Sequence, residues 1–153
     1  MRIRKYNSSN SKEVAKVIYQ TFSKFNRNEG TKKGIKDYLN YYSPRKDIKE
    51  LQKIFSKTPL ALVAIKNNKI IGIIRGSKNR VTNLFVLGTY HKKGTGKALL
   101  YTFEKNAKKH GSKFIKIRSS LYAVSFYAKH GYKKTTGIRY IKGLRFQPMM
   151  KKL

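Results

Sequence analysis

The chain contains no cysteine. That excludes a disulfide, a thiolate-bound metal and a cysteine nucleophile. Histidine is scarce too: His91, His110 and His130 stand apart without ligand spacing, and no metal is expected. No apolar run approaches the roughly 20 residues that a membrane span needs. The opening Met1-Arg2-Ile3-Arg4-Lys5-Tyr6 has no apolar signal core, so a cytoplasmic protein without membrane attachment is expected. Acidic residues are the largest shortfall: 6 Asp and Glu stand against 37 Lys and Arg, a net charge of +31. A lysine-rich codon bias would swell Lys, Asn, Ile and Tyr together. It would not thin out glutamate, which occurs only at Glu13, Glu29, Glu50 and Glu104.

This charge has consequences for partners. Lysines near phosphates release counterions, so polyanions are attracted. A nucleic-acid or ribosome contact through the basic surface is one expectation, and a plain solvated surface is the other. The same field repels free polyamines and polybasic tails. At 153 residues the chain fits one domain, residues 1–153, long enough to bury a core without staples.

Hydrophobic spacing gives a coarse order of elements. Ile3 to Tyr6 reads as a short strand. Val14, Ile18, Thr21, Phe22 and Phe25 recur at helical spacing, and Asn26 to Gly30 breaks that helix. Ile35, Tyr38, Leu39 and Tyr42 mark a second helix. Ser43-Pro44 reads as an N-cap with proline at the first helical position, opening a short helix through Ile48, Leu51, Ile54 and Phe55. Leu60 to Ile65 and Ile70 to Ile74 read as strands joined by a hairpin turn at Lys66-Asn67-Asn68-Lys69. Val81 to Val86 is the next strand. Gly94 to about Lys109 is the central helix, with Ala98, Leu99, Thr102, Phe103, Asn106 and Ala107 on one face and Glu104 as an ion-pairing surface group. Phe114 to Arg118 is a strand, Tyr122 to His130 a helix, and Tyr132 to Gly137 and Leu144 to Met150 close the sheet. The predicted order is β-α-α-β-β-β-α-β-α-β-β. The fold class is α/β (α+β), a mixed, mostly antiparallel sheet of about seven strands flanked by helices.

The most informative stretch runs from Phe85 to Leu100. A strand-like run enters a turn with two glycines, Gly94 and Gly96, set among Lys92, Lys93 and Lys97, and a helix follows at once. Glycines let the backbone approach closely, and a helix N-terminus presents unpaired N–H groups with partial positive charge. The expected guest is a phosphate or pyrophosphate. A dinucleotide fingerprint would need glycine where Leu99 stands. A P-loop would need wider glycine spacing and a hydroxyl where Ala98 stands. About thirty residues on comes Ser119-Ser120-Leu121-Tyr122-Ala123-Val124-Ser125-Phe126-Tyr127-Ala128-Lys129-His130-Gly131-Tyr132.

Together these segments resemble the GCN5-related N-acetyltransferase (GNAT) family. The first resembles its Gln/Arg-x-x-Gly-x-Gly/Ala motif, read here as His91-Lys92-Lys93-Gly94-Thr95-Gly96. The second resembles its later cofactor segment ending in Phe-Tyr-x-x-x-Gly-Phe, with Tyr132 in place of the last Phe. The resemblance implies acetyl-CoA as co-substrate and transfer of its acetyl group to a primary amine by direct attack in a ternary complex. It places the pyrophosphate on the backbone N–H groups of His91, Lys92, Lys93, Gly94, Thr95, Gly96 and Lys97, beside Phe126. The pantetheine would pair along Phe85-Val86-Leu87, where the strand splays from its neighbour near Gly88, with an oxyanion donor at Val86 or Leu87. Arg118 holds the place of a family asparagine, next to Ser119 and Ser120. Tyr127 is the implied general acid, since a phenol can hand a proton to a leaving thiolate. No carboxylate stands on the strand before the loop, and Glu29 is the candidate base. Phe25, Tyr38, Tyr41 and Tyr42 are candidates to line the acceptor pocket, with Asn26 to Gly30 as a lid. The acceptor amine could sit on a small molecule, a protein or an aminoacyl-tRNA. The protein would act as a monomer or homodimer. A non-catalytic module of the same fold, binding coenzyme A or nucleic acid, is the other reading.

Overall fold

A computed structural model describes residues 1–153. Its sheet has eight strands in the order β1-β2-β3-β4-β5-β8-β6, with β7 paired to β8. The strands are β1 (Arg2–Lys5), β2 (Leu60–Lys66), β3 (Lys69–Ser77), β4 (Arg80–Val86), β5 (Phe114–Ser119), β6 (Lys133–Lys134), β7 (Arg139–Ile141) and β8 (Leu144–Lys152). The helices are α1 (Ser11–Phe25), α2 (Lys32–Tyr41), α3 (Ile48–Phe55), α4 (Thr95–Lys109) and α5 (Val124–Lys129). All pairings are antiparallel except β4 with β5. The β2–β3 turn places Asn67 and Asn68 at φ 52° and 60°, the left-handed pair a tight hairpin of this type requires.

The strands alternate their side chains between two cores. Leu62, Ala64 and Ile74 pack with Leu99, Phe103 and Ala107 of α4. Val63 and Ile73 pack with Val14 and Ile18 of α1 and Leu51 and Phe55 of α3. So α4 and α5 cover one face and α1 to α3 the other. Phe103 is fully buried, and truncating such a side chain to alanine costs about 3–5 kcal/mol.

Three expectations change. The short helix opens at Asp47, whose carboxylate accepts from the Lys49 N–H at 2.8 Å. Ser43 and Pro44 lie in a separate turn closed by Lys46 N–H to Ser43 C=O. The buried face of α4 is Thr95, Leu99, Leu100, Phe103, Glu104 and Ala107. Leu100 and Glu104 thus replace Ala98, Thr102 and Asn106, because helical side chains tilt over the preceding turn. The final segment holds three strands: β6 is a two-residue strand, and β7 forms its own hairpin with β8.

Candidate active site

The two strands at the centre of the sheet part company early. β4 and β5 pair only at Arg80–Lys116 and Val81–Ile117. The splay therefore opens after Val81, well before Gly88. Beyond it, alternate backbone groups of β4 face the gap. The Leu87 N–H donates to Ile71 C=O of β3 at 2.9 Å, and Phe85 C=O lies on the β3 side against Gly72. The alternation of an antiparallel ladder then turns the Leu84 and Val86 amides towards the gap. Of the two expected oxyanion donors, Leu87 is already committed and Val86 is free.

At the end of this gap lies the glycine loop. The consecutive N–H groups of Lys92, Lys93, Gly94, Thr95, Gly96 and Lys97 find no acceptor in the protein. The first bond of α4 is Ala98 N–H to Gly94 C=O, and no side chain caps the helix. Lys92 and Gly94 take φ of 58° and 85°, which curls the loop. Gly94 is the residue that adopts this conformation without strain. Uncapped amides at the positive end of a long helix suit a phosphate or pyrophosphate. His91 does not join them, since its N–H donates to Gly88 C=O at 3.1 Å. Its ring instead places Nε2 2.6 Å from the Val86 carbonyl.

The two sequence segments meet at Gly96. A Cβ there would lie 3.3 Å from the Phe126 ring, so glycine lets α4 and α5 close together. Tyr127 follows on α5, 3% exposed, with its ring edge-on to Phe126 and Tyr132. Burial pushes its phenol well above the ordinary range, so it stays protonated. Tyr132 donates to Glu104 at 2.8 Å, and Lys151 donates to the other Glu104 oxygen at 3.0 Å. Glu104 is therefore a buried bridge between α4 and β8, in place of the expected surface group.

Glu29 is also buried, at 6% exposure. Its carboxylate accepts from the backbone N–H groups of Leu121 at 3.1 Å and Tyr122 at 2.9 Å. Each oxygen thus accepts one bond from the turn that leads from β5 into α5, which builds the carboxylate into the fold. The expected lid is pinned as well: Arg145 N–H donates to Glu29 C=O, and Thr31 N–H to Gly143 C=O. Arg118 sits on the exposed side of β5 with its guanidinium over Phe146. Ser119 is buried and donates to the Ser120 C=O, while the Ser120 hydroxyl accepts from Ala123 N–H.

Of the aromatic candidates, only Phe25 reaches the site. Its ring stands 4.7 Å from His91 and 4.9 Å from Tyr122, and it presses on Gly88. Gly88 is needed for that close approach, not for the splay. Tyr42 lies in the α1–α3 core, donating to Asn83 and accepting from Arg75. Tyr38 accepts from Asn83, and burial pushes its phenol well up. Tyr41 is on the surface between Lys46 and Lys57. The Phe25–His91–Tyr122 cluster was not foreseen, because its members lie on separate segments with no shared periodicity.

Comparisons with known proteins agree with this fold. A family profile described as "Acetyltransferase (GNAT) domain" matches residues 26–153. A GCN5-related N-acetyltransferase from Rhodopseudomonas palustris superposes with a TM-score of 0.85 at 20% identity, covering 99% of this chain and 95% of that one. The PaiA N-acetyltransferase from Thermoplasma acidophilum, solved with coenzyme A, gives 0.77 at 24% identity, covering 99% and 98%. The aminoglycoside 6'-N-acetyltransferase from Enterococcus faecium gives 0.71 at 15% identity, covering 99% and 97%. With the family profile spanning most of its length, the chain belongs to the GNAT acetyltransferase family.

Proposed function

We propose that the protein moves an acetyl group from acetyl-CoA to a primary amine by direct attack in a ternary complex, the whole chain acting as one catalytic domain. One observation carries the reading: a run of unclaimed amides from Lys92 to Lys97 lies at the mouth of the opened β4–β5 gap. Acetyl-CoA supplies the thioester to be cleaved. The Lys92–Lys97 amides and the three lysine charges hold its phosphates. The pantetheine lies along Phe85, Val86 and Leu87, where the Val86 amide faces the gap, and Phe126 walls the phosphate loop. The Leu84 and Val86 amides point where an oxyanion donor is needed. Tyr127, kept protonated by burial, is the acid for the leaving thiolate. Glu29 holds α5 in place, and the amine's proton leaves to water. The coenzyme A bound in the PaiA neighbour supports the cofactor.

The charge narrows the acceptor. A field from +31 disfavours a polycation, so an aminoglycoside like that of the Enterococcus faecium enzyme is a poor fit. An amine carried on an acidic or phosphorylated molecule fits better. The lack of a carboxylate on β4 favours a second reading, a coenzyme A-binding module without turnover.

Calorimetry of acetyl-CoA at moderate salt, with ATP at equal concentration, tests the site. Acetyl-CoA should bind well above ATP and survive added salt. Equal, salt-sensitive binding would reduce the loop to a basic patch. Release of free coenzyme A thiol with an amine panel then separates the enzyme from the module.

A further inference from the structure

The carboxylates of this chain are segregated in space. The exposed ones, Glu13, Asp37, Asp47 and Glu50, all lie on or at the start of α1, α2 and α3. Those helices cover one face of the sheet. From Leu51 onward the only acidic side chain is Glu104, and it is buried against Tyr132 and Lys151. The α4–α5 face therefore carries no exposed acidic side chain.

That face carries an ordered set of cations instead. Lys97, Tyr101, Lys105 and Lys108 recur along α4 at helical spacing, and all are exposed, Tyr101 at 66%. At 1.5 Å per residue the stripe is about 16 Å long. The two ion pairs of the structure, Lys33–Asp37 and Lys151–Glu104, leave Lys97, Lys105, Lys108 and Lys129 without a carboxylate partner. Burial first, and then the charges of Lys97 and Lys129, hold the His130 imidazole below its usual value, so the positive field reaches α5.

We propose that the α4–α5 face docks a nucleic acid through its phosphate backbone, with Tyr101 placed to stack on an unpaired base. Each strand of a duplex carries one negative charge per about 3.4 Å, so a 16 Å stripe runs alongside roughly five of them on the strand it faces. An aromatic ring among lysines is the pattern of a strand-binding platform. A lipid surface would ask for an apolar row, and the stripe has only Tyr101. The inference goes beyond acetyl transfer and does not rest on it.

The test is fluorescence anisotropy with a labelled single-stranded RNA of about 20 nucleotides and a DNA duplex of matching length, at about 0.1 M salt. Excess coenzyme A keeps the Lys92–Lys97 amides occupied. Micromolar binding with a steep salt dependence is expected for at least one probe. Lys105→Glu with Lys108→Glu should weaken it at least about tenfold and flatten the salt slope. Lys12→Glu with Lys16→Glu makes the same change in net charge at exposed α1 positions, and should weaken it less than about threefold. Equal losses in the two pairs, no binding at this salt, or tighter capture by phosphatidylserine vesicles would each overturn the proposal. Coenzyme A affinity, measured in parallel, is expected to stay unchanged in both pairs, which separates this result from the fate of the acetyltransferase reading.

Discussion

Glu29 and Tyr122 are joined by a 2.9 Å hydrogen bond from the Tyr122 amide to the Glu29 carboxylate. The bond crosses from the turn after α1 to the turn before α5. It fixes the helix that carries Tyr127 against the loop between α1 and α2.

Substitution at Glu29 should rank by hydrogen bonding. Glu29→Ala strands two buried backbone donors and should cost about 2 kcal/mol or more in stability. Glu29→Gln keeps one acceptor and should cost about half that. Urea denaturation reads both costs, and thiol release reads turnover. Turnover by Glu29→Gln should remain within about tenfold of the parent, whereas loss of a general base costs about 100-fold or more. A stable, folded Glu29→Gln protein without turnover would restore Glu29 to the base role.

Gly96 and Phe126 should behave as a coupled pair. Gly96→Val forces branched carbons into a ring already 3.3 Å from a Cβ, so acetyl-CoA affinity should fall at least about tenfold. Phe126→Ala in the same chain should recover part of it. Additive losses in the double-mutant cycle would mean that the two residues act separately.

Tyr127→Phe should lower turnover more than acetyl-CoA affinity. Burial raises the folded phenol above its unfolded value near 10. The sign follows directly. A raised folded pKa contributes stability that is fully present below pH 10 and fades as pH rises through the folded value. Any alkaline limb in the rate profile below pH 10 therefore comes from another group. A phenolate absorbance titration of parent and variant checks this: Tyr127 should contribute no signal before the fold is lost.

Arg75 is buried at 3% exposure with no carboxylate beside it. Its Nε donates to Asn83 at 2.6 Å, and its terminal nitrogens to Tyr42 and Thr58. Asn83→Leu removes a neutral acceptor from a buried cation and should cost about 2–3 kcal/mol. Arg75→Met, which removes the charge itself, should cost less. Thermal or urea melts of the two variants give the order.

The sequence alone carried the local features. The turn at Asn67-Asn68, the glycine loop ahead of α4 and the alternating strands depend on neighbours a few residues apart, and their chemistry shows in the chain. The family resemblance rested on the same local signals, Gly94-Thr95-Gly96 and Phe126-Tyr127. Most of what the sequence missed involves partners far along the chain. One miss was local: Asp47 caps the short helix by accepting from the Lys49 N–H two residues on, while Ser43 is engaged in a turn of its own.

Only the tertiary structure decided what the polar groups do. The sequence offered Glu29 as a candidate base and Glu104 as an ion-pairing surface group, and each proved to be a buried acceptor whose donors lie at Leu121, Tyr122, Tyr132 and Lys151. The splay was expected near Gly88, but its start after Val81 was hidden, because the extent of strand pairing depends on two segments distant in sequence. The sequence set the charge and the loop that asks for an anion. The folding of α4 and α5 onto one face, away from every exposed carboxylate, decided where that charge is presented.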